Sequence, residues 1–563
     1  MTSLPGSART RRRRPVDLSV AAVLAVVIAC LFLTVGIPVG KLLGAALSPD
    51  GRSAIATSLT SQTTPLRNTI VLGVLVGTLG TAIGFLTAYA QVFLDFRGKR
   101  ALHWITLLPT VSPPFATATA LITLFGKRGI ITFHLLGADH NIYGLQGLTI
   151  VLAMTFAPVA YLNIRGMFEN MDPSHFEAAA SLGASPLQTL FKVTIPMTIP
   201  ALLASFLVLF VEGIADLANP LVLGGDYRVL ASQIYFAVAG SGDVASAAGI
   251  ALVLLVPVFA VQKYWAGKKT VITVTGKPTG TVKPVTARAV KYPVLLLVGA
   301  WIVLVLACYT AILVGGFVKI LAVDNSWTMD HYQFVYRLGS DAVTKTLVMT
   351  LIATPIAALL ALLIAWLVVR HLPRTGRILD FVGMLGIAVP GTVLGLGFAL
   401  AYSGPTWFLG HRILPPLAGG LATGAGAVAI IMVYIARAIP TGQQACISAL
   451  KQINPQVEEA ATSLGASQIT TLRLITLPLL RSGVVTAMTY GITKSMTMIT
   501  AIIFITTPQT KVMTAQILDE VDAGRFGNAF AYCTVLIVLV LIVLALASLA
   551  INQLNRSMRT AQS

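Results

Sequence analysis

Charge is what this sequence has least of. Only 10% of its 563 residues are Asp, Glu, Lys or Arg, against 56% hydrophobic ones, whereas a water-soluble domain carries about a quarter charged residues. A mean hydropathy of +0.84 excludes a soluble globular protein and leaves a chain whose solvent is lipid. Cysteine is scarce too. Cys30, Cys308, Cys446 and Cys533 are scattered without a CxxC spacing, so they carry no sign of a metal site or a disulfide framework and read as small apolar packing residues. The histidines (His103, His134, His140, His175, His331, His371 and His411) fall at expected span ends or in loops without a spaced ligand partner. No metal cage and no cofactor site is expected from them. A complete GxxxxGK[ST] phosphate loop is missing, and TGKPTG near the middle of the chain only resembles one. The chain thus carries no recognisable nucleotide-hydrolysing unit of its own, and no Ser/His/Asp, metal or paired-acid constellation marks it as an enzyme.

What is present is apolar length. A hydrocarbon core of about 30 Å needs roughly 20 helical residues, and runs that long recur near 18–43, 68–92, 102–125, 146–164, 199–223, 245–265, 292–316, 343–369, 379–402, 419–436, 482–506 and 529–552. They predict an all-α polytopic membrane protein of about twelve transmembrane helices, six in each half. None shows the alternation of a barrel strand, and helices satisfy their own backbone groups in lipid. Basic residues fall in alternate gaps. Arg9 and Arg11 to Arg14 precede the first run, and Arg97, Lys99 and Arg100 follow the second. Lys263, Lys268, Lys269, Lys277, Lys283, Arg288 and Lys291 separate the sixth from the seventh; Arg370, Arg374 and Arg377 follow the eighth, and Arg556 and Arg559 end the chain. The positive-inside rule makes that side cytoplasmic and puts both termini there. The +19 formal charge is therefore topological, and RRRR is a flank to a first span rather than a nucleic-acid site. The run from Leu18 exceeds a signal-peptide core, which predicts an uncleaved anchor helix.

The chain also repeats itself. Residues 177–185 read EAAASLGAS and residues 459–467 read EAATSLGAS, 282 positions apart. NTIVLGVLVG from Asn68 matches KTLVMTLIAT from Lys345, and Pro113 matches Pro390, at an offset of 277. Two copies of one domain are implied. The expected layout is a basic cytoplasmic N-terminus (1–17), a first domain (18–265) with a loop at 172–200, and a cytoplasmic linker (266–291). A second domain (292–552) with a loop at 454–482 and a cytoplasmic tail (553–563) follow. The stretch from Lys268 to Lys291, rich in Gly, Pro, Thr and Lys without helical period, reads as a tether.

Each repeated phrase falls in a cytoplasmic loop of this topology. In the first copy, Asp172 and Pro173 start a helix, Gly183 permits a sharp turn, and a second short helix leads to Pro196; Asn454, Pro455, Gly465 and Pro478 repeat the pattern. EAA, a glycine four residues after the second alanine, and a hydrophobic–proline pair further on resemble the EAA loop of permease subunits in type I binding-protein-dependent ABC importers. Pro200 matches that family's trailing proline, whereas Ser482 stands at its equivalent in the second copy. The resemblance implies that each loop docks in a cleft of a cytoplasmic ATP-binding subunit. Ala178, Ala179, Gly183, Ala460, Ala461 and Gly465 would keep the contact close-packed, while Glu177 and Glu459 orient the loop by hydrogen bonds or ion pairs. It also implies two such subunits, an extracytoplasmic substrate-binding protein, and a place in the cytoplasmic (inner) membrane of a bacterium. DLANPLVLGG and the stretch from Ser495 to Val543 resemble the fused ferric-iron permeases, a group with relatives for phosphorylated sugars, phosphonates and thiamine.

Ionisable residues within spans are costly and mark function by default. Glu212 and Asp216 are four residues apart, which predicts one helical face, and Lys494 stands at the position of Glu212 under the 282 offset. The three are expected along a translocation pathway between the halves, with Glu212 and Lys494 close enough to neutralise one another, as a gate or as a static bridge. An ion-gradient-driven transporter with Glu212 and Asp216 as its coupling site stands beside the ATP-driven reading.

Overall fold

The computed structural model describes residues 18–139, 141–268, 287–372, 375–408 and 410–560. The N-terminal basic segment and most of the expected linker lie outside the described residues, as do His140 and Arg374. Nearly everything described is helix. Eight helices are long and apolar enough to span: Leu18–Ala46, Thr64–Phe93, Leu145–Glu169, Pro186–Ala215, Arg288–Gly315, Ser340–His371, Thr423–Gln452 and Phe526–Ala550. Three bent pairs raise the number to eleven: Lys99–Thr110 with Pro114–Leu135 (105°), Gly376–Ala388 with Gly391–Tyr402 (99°), and Gln468–Leu479 with Arg481–Thr497 (75°). The expected sixth span falls on Val244–Lys268, whose apolar part, Val244–Ala260, is shorter than the others. The expected all-α bundle of about twelve spans thus appears, among the described residues, as eight single-helix spans, three bent pairs and the shorter apolar helix Val244–Ala260. The first two bends have a shared cause: Pro113 and Pro390 sit at the breaks with extended backbone, because proline has no N–H to continue the helix and clashes with the preceding turn. Two antiparallel hairpins, Val318–Ile320 with Asp324–Trp327 and Thr406–Phe408 with His411–Leu414, connect helix ends.

The same three-helix core is built twice. Thr64–Phe93, Leu145–Glu169 and the Ile195–Ala215 part of the fourth span pack on one another; Ser340–Trp366, Ala427–Gln452 and Arg481–Thr497 do the same in the second half. Helices in lipid gain little from apolar burial against each other, so small residues that admit close approach decide where they cross. A Cβ added to Gly84 would lie 2.6 Å from the Ala160 Cβ. At the equivalent crossing the roles are exchanged, with Ala361 facing Gly442, where an added Cβ would lie 3.0 Å from the Ala361 methyl. Each crossing therefore accommodates one methyl group. A second repeated detail fixes the helix that follows each core: the Leu230 N–H donates to Thr69 Oγ1 (2.9 Å) and the Met513 N–H to Thr346 Oγ1 (2.8 Å).

The first helix of each half crosses over to the other. The Ile37–Ala46 part of the first span packs on Gly391–Tyr402, and the Tyr402 hydroxyl donates to the Leu33 carbonyl. Arg288–Gly315 packs on Pro114–Phe125 and Thr64–Phe93, with Tyr309 Oη 2.6 Å from Ser112 Oγ. The halves are interlocked by these exchanged helices.

Candidate functional site: two exposed loops and a charged passage

Both loops form as local sequence dictates. The Asp172 carboxylate accepts the Ser174 N–H at 2.9 Å, and this backbone hydrogen bond draws its carboxyl below the ordinary range. Ser174–Ser181 is the first arm. Gly183 reverses the chain at φ +74°, and Ser185 with Gln188 closes a capping box on the second arm, which continues as one helix to Ala215. In the second copy the Asn454 side chain accepts the Gln456 N–H at 3.0 Å. Pro455–Ser463 forms the arm, Gly465 turns at φ +88°, and Ser467 caps the return. The second return bends at buried Leu480. The copy that bends is the one with Ser482 in place of the trailing proline; nothing in the structure explains why.

The residues expected to meet a partner divide by face. Glu177, Ala178, Glu459 and Ala460 are exposed, Ala179 and Ala461 turn inward, and Gly183 and Gly465 stand at exposed tips. The carboxylates of Glu177 and Glu459 take part in no ion pair among the described residues. In the second loop it is the preceding residue that is paired: Glu458 Oε2 lies 2.7 Å from Arg370 Nε, since one helical step rotates a side chain by about 100°. Two further residues escaped the motif. Leu182 and Leu464, each just before the turning glycine, are 88% and 90% exposed. Their identity in both copies of SLGAS was the available signal.

The intramembrane charges behave differently from one another. The helix carrying Glu212 ends at Ala215, so Asp216 does not share its face. Asp216 is buried, in extended backbone, and its Oδ1 accepts the Asn219 N–H (2.9 Å) and Nδ2–H (3.0 Å), capping the short Ala218–Leu223 helix. The overall apolar character of 199–223, despite Glu212 and Asp216, hid that helix end. Glu212 and Lys494 form no ion pair with each other or with any other described residue. Their helices explain this, since Ile195–Ala215 packs on Thr64–Phe93 and Leu145–Glu169 while Arg481–Thr497 packs on its own half. Lys494 is exposed and Glu212 half-buried. Arg437, missed because the tenth run was ended too early, donates Nη1–H to the carbonyls of Gly386 (3.0 Å) and Val389 (3.1 Å) at the helix break before Pro390. Among the described residues no three His, Cys, Asp or Glu side chains come together. At the opposite end of the Leu145–Glu169 helix from the first loop, a cavity of about 690 Å³ joins Lys127, Arg128 and Tyr143 of the first half to Lys319, His331 and Arg525 of the second.

Residues 80–271 and 337–560 each match the family described as binding-protein-dependent transport system inner membrane component. The chain belongs to this family. Both matches begin after the helix that crosses to the other half, the first within Thr64–Phe93 and the second just before Ser340, and each runs on past its repeated core. The permease is 34% identical over 489 residues to the ferric transport system permease protein FbpB of Actinobacillus pleuropneumoniae, covering 84% of this chain and 69% of that protein. It is 33% identical over 462 residues to the putative ferric transport system permease protein FbpB 1 of Haemophilus influenzae (79% and 71%). A probable molybdenum ABC transporter permease protein of Haloferax volcanii is 27% identical over 217 residues, 38% of this chain and 78% of that protein. The protein is accordingly a fused, two-domain, multi-pass inner-membrane permease of the ABC importer type.

Proposed function

We propose that the permease imports ferric iron delivered by an extracytoplasmic binding protein, by alternating access driven by two cytoplasmic ATP-binding subunits docked on its two loops. The observation that carries this is the pair of loops. Each has side-chain caps at equivalent positions, a left-handed glycine and a leucine nearly free in solvent, and an isolated side chain of that size, exposed twice at equivalent tips, suits insertion into a partner. Ferric iron is favoured because two relatives that match most of the chain carry that substrate in their names, whereas the match to the molybdenum relative spans less than one domain.

The passage runs between the halves in this reading, with Glu212 and Lys494 facing it. Lys494 lies in the last turn of Arg481–Thr497 and is exposed without an ion-pair partner among the described residues; such a charge is costly against lipid, so in this reading it faces water. Both termini and both loops share the cytoplasmic side, and the linker serves as a tether. The test is ATP hydrolysis by the assembled complex in the presence of its binding protein loaded with ferric ion, molybdate, a phosphorylated sugar, a phosphonate or thiamine. Stimulation by the ferric form is expected; stimulation by another ligand and not by ferric ion overturns the substrate assignment.

A further inference from the structure

The two loops are fastened to the membrane bundle at equivalent positions by unlike chemistry. In the second half Arg370, at the end of the Ser340–His371 helix, makes a contact ion pair with Glu458; both side chains are largely buried, at 12% and 14% exposed. Its Nη2 also donates to the carbonyls of Leu450 (3.3 Å) and Ile453 (3.0 Å) where the preceding helix runs out. The second carboxylate oxygen of Glu458 accepts the Thr476 hydroxyl at 2.8 Å. One carboxylate thus ties the first arm of the loop to its returning arm and to a spanning helix.

The offsets of the repeat, 277 for the spanning helix and 282 for the loop, carry Arg370 onto Phe93 and Glu458 onto Phe176. Those two rings meet with centroids 5.4 Å apart. Phe168, the counterpart of Leu450, lies edge-on to Phe93 at 4.9 Å. A charged contact in one half has an aromatic contact as its symmetry mate, and both join the same two elements. Ring packing tolerates small rotations and is indifferent to charge. A largely buried ion pair is directional and, once one member is removed, leaves the other uncompensated.

We propose that Arg370 and Glu458 are positioning residues that set the angle at which the second loop meets its ATP-binding subunit, with Phe93 and Phe176 performing that task aromatically for the first. This rests on the coupling role proposed for the loops. It is tested on the full complex by the ratio of ATP hydrolysis with and without loaded binding protein. Arg370→Met and Glu458→Gln are each expected to lower that ratio about tenfold while the ATP-binding subunit still copurifies, and Arg370→Phe with Glu458→Phe to restore it to within about threefold. The reciprocal graft, Phe93→Arg with Phe176→Glu, is expected to retain more coupling than either of its single changes. Single variants with the parental ratio overturn the proposal, as does a Phe–Phe graft no better than the worse single change. A parent complex without any stimulation overturns instead the coupling reading on which the proposal stands.

Discussion

Gly183 and Gly465 turn their loops at φ +74° and +88°, and no atom lies within 4 Å of where a side chain would begin. A larger residue there meets no neighbour within the permease, so its local cost is backbone strain of about 1–3 kcal/mol. Gly183→Val or Gly465→Val is therefore expected to leave the chain inserted. It places new atoms on the face proposed for docking, however, and is expected to cut binding-protein-stimulated ATP hydrolysis about tenfold. Normal stimulation in both variants contradicts the assignment of these tips as docking points. These turns were legible in the sequence because Asp172, Pro173, Gly183 and Ser185 act on backbone within a few residues of themselves. The ion pair between Arg370 and Glu458 was not legible, because it joins two distant segments, and the neighbouring Glu459 offers the same chemistry on another face of the helix.

At the scale of helices, the exchange of Gly84 and Ala160 for Ala361 and Gly442 says that each core crossing has room for one methyl. Gly84→Ala overfills the first crossing and is expected to destabilise it by about 1–3 kcal/mol. Adding Ala160→Gly is expected to recover part of that loss, though not all, since the Tyr161 backbone nitrogen would also lie 2.8 Å from the new Cβ. Thermal unfolding of the purified permease measures both; additive losses would mean that the two residues do not share the crossing. Hydropathy located the spans but not their interruptions, because apolar residues flank the breaks on both sides. Val111 and Pro113 keep 102–125 looking continuous, and Leu217 does the same after Ala215. Asp216 shows the consequence: spacing alone put it on the face of Glu212, whereas the helix had already ended and the carboxylate serves as a cap. The spacing argument for Glu212 and Lys494 likewise found equivalent positions but not contact, since equivalence under a repeat places two residues in like surroundings and not beside each other.

At the scale of the whole molecule, the duplication explains the architecture and the exchanged helices explain its integrity. Each half lends its first helix to the other, so separation of the halves would strip Gly397 from Pro38 and Tyr309 from Ser112. Motion that opens a passage between the cores must then carry each first helix with the opposite half. In the function proposed above, two loops with one geometry on one side of the membrane are what a machine needs if force applied at two equivalent points is to tilt two equivalent bundles. The most direct test is uptake of ferric iron by sealed vesicles containing the permease, with and without its ATP-binding subunits, supplied with loaded binding protein outside and ATP or an imposed ion gradient inside. The account predicts uptake with the subunits and ATP, and none by the permease alone under the gradient. Uptake by the permease alone under an ion gradient contradicts it.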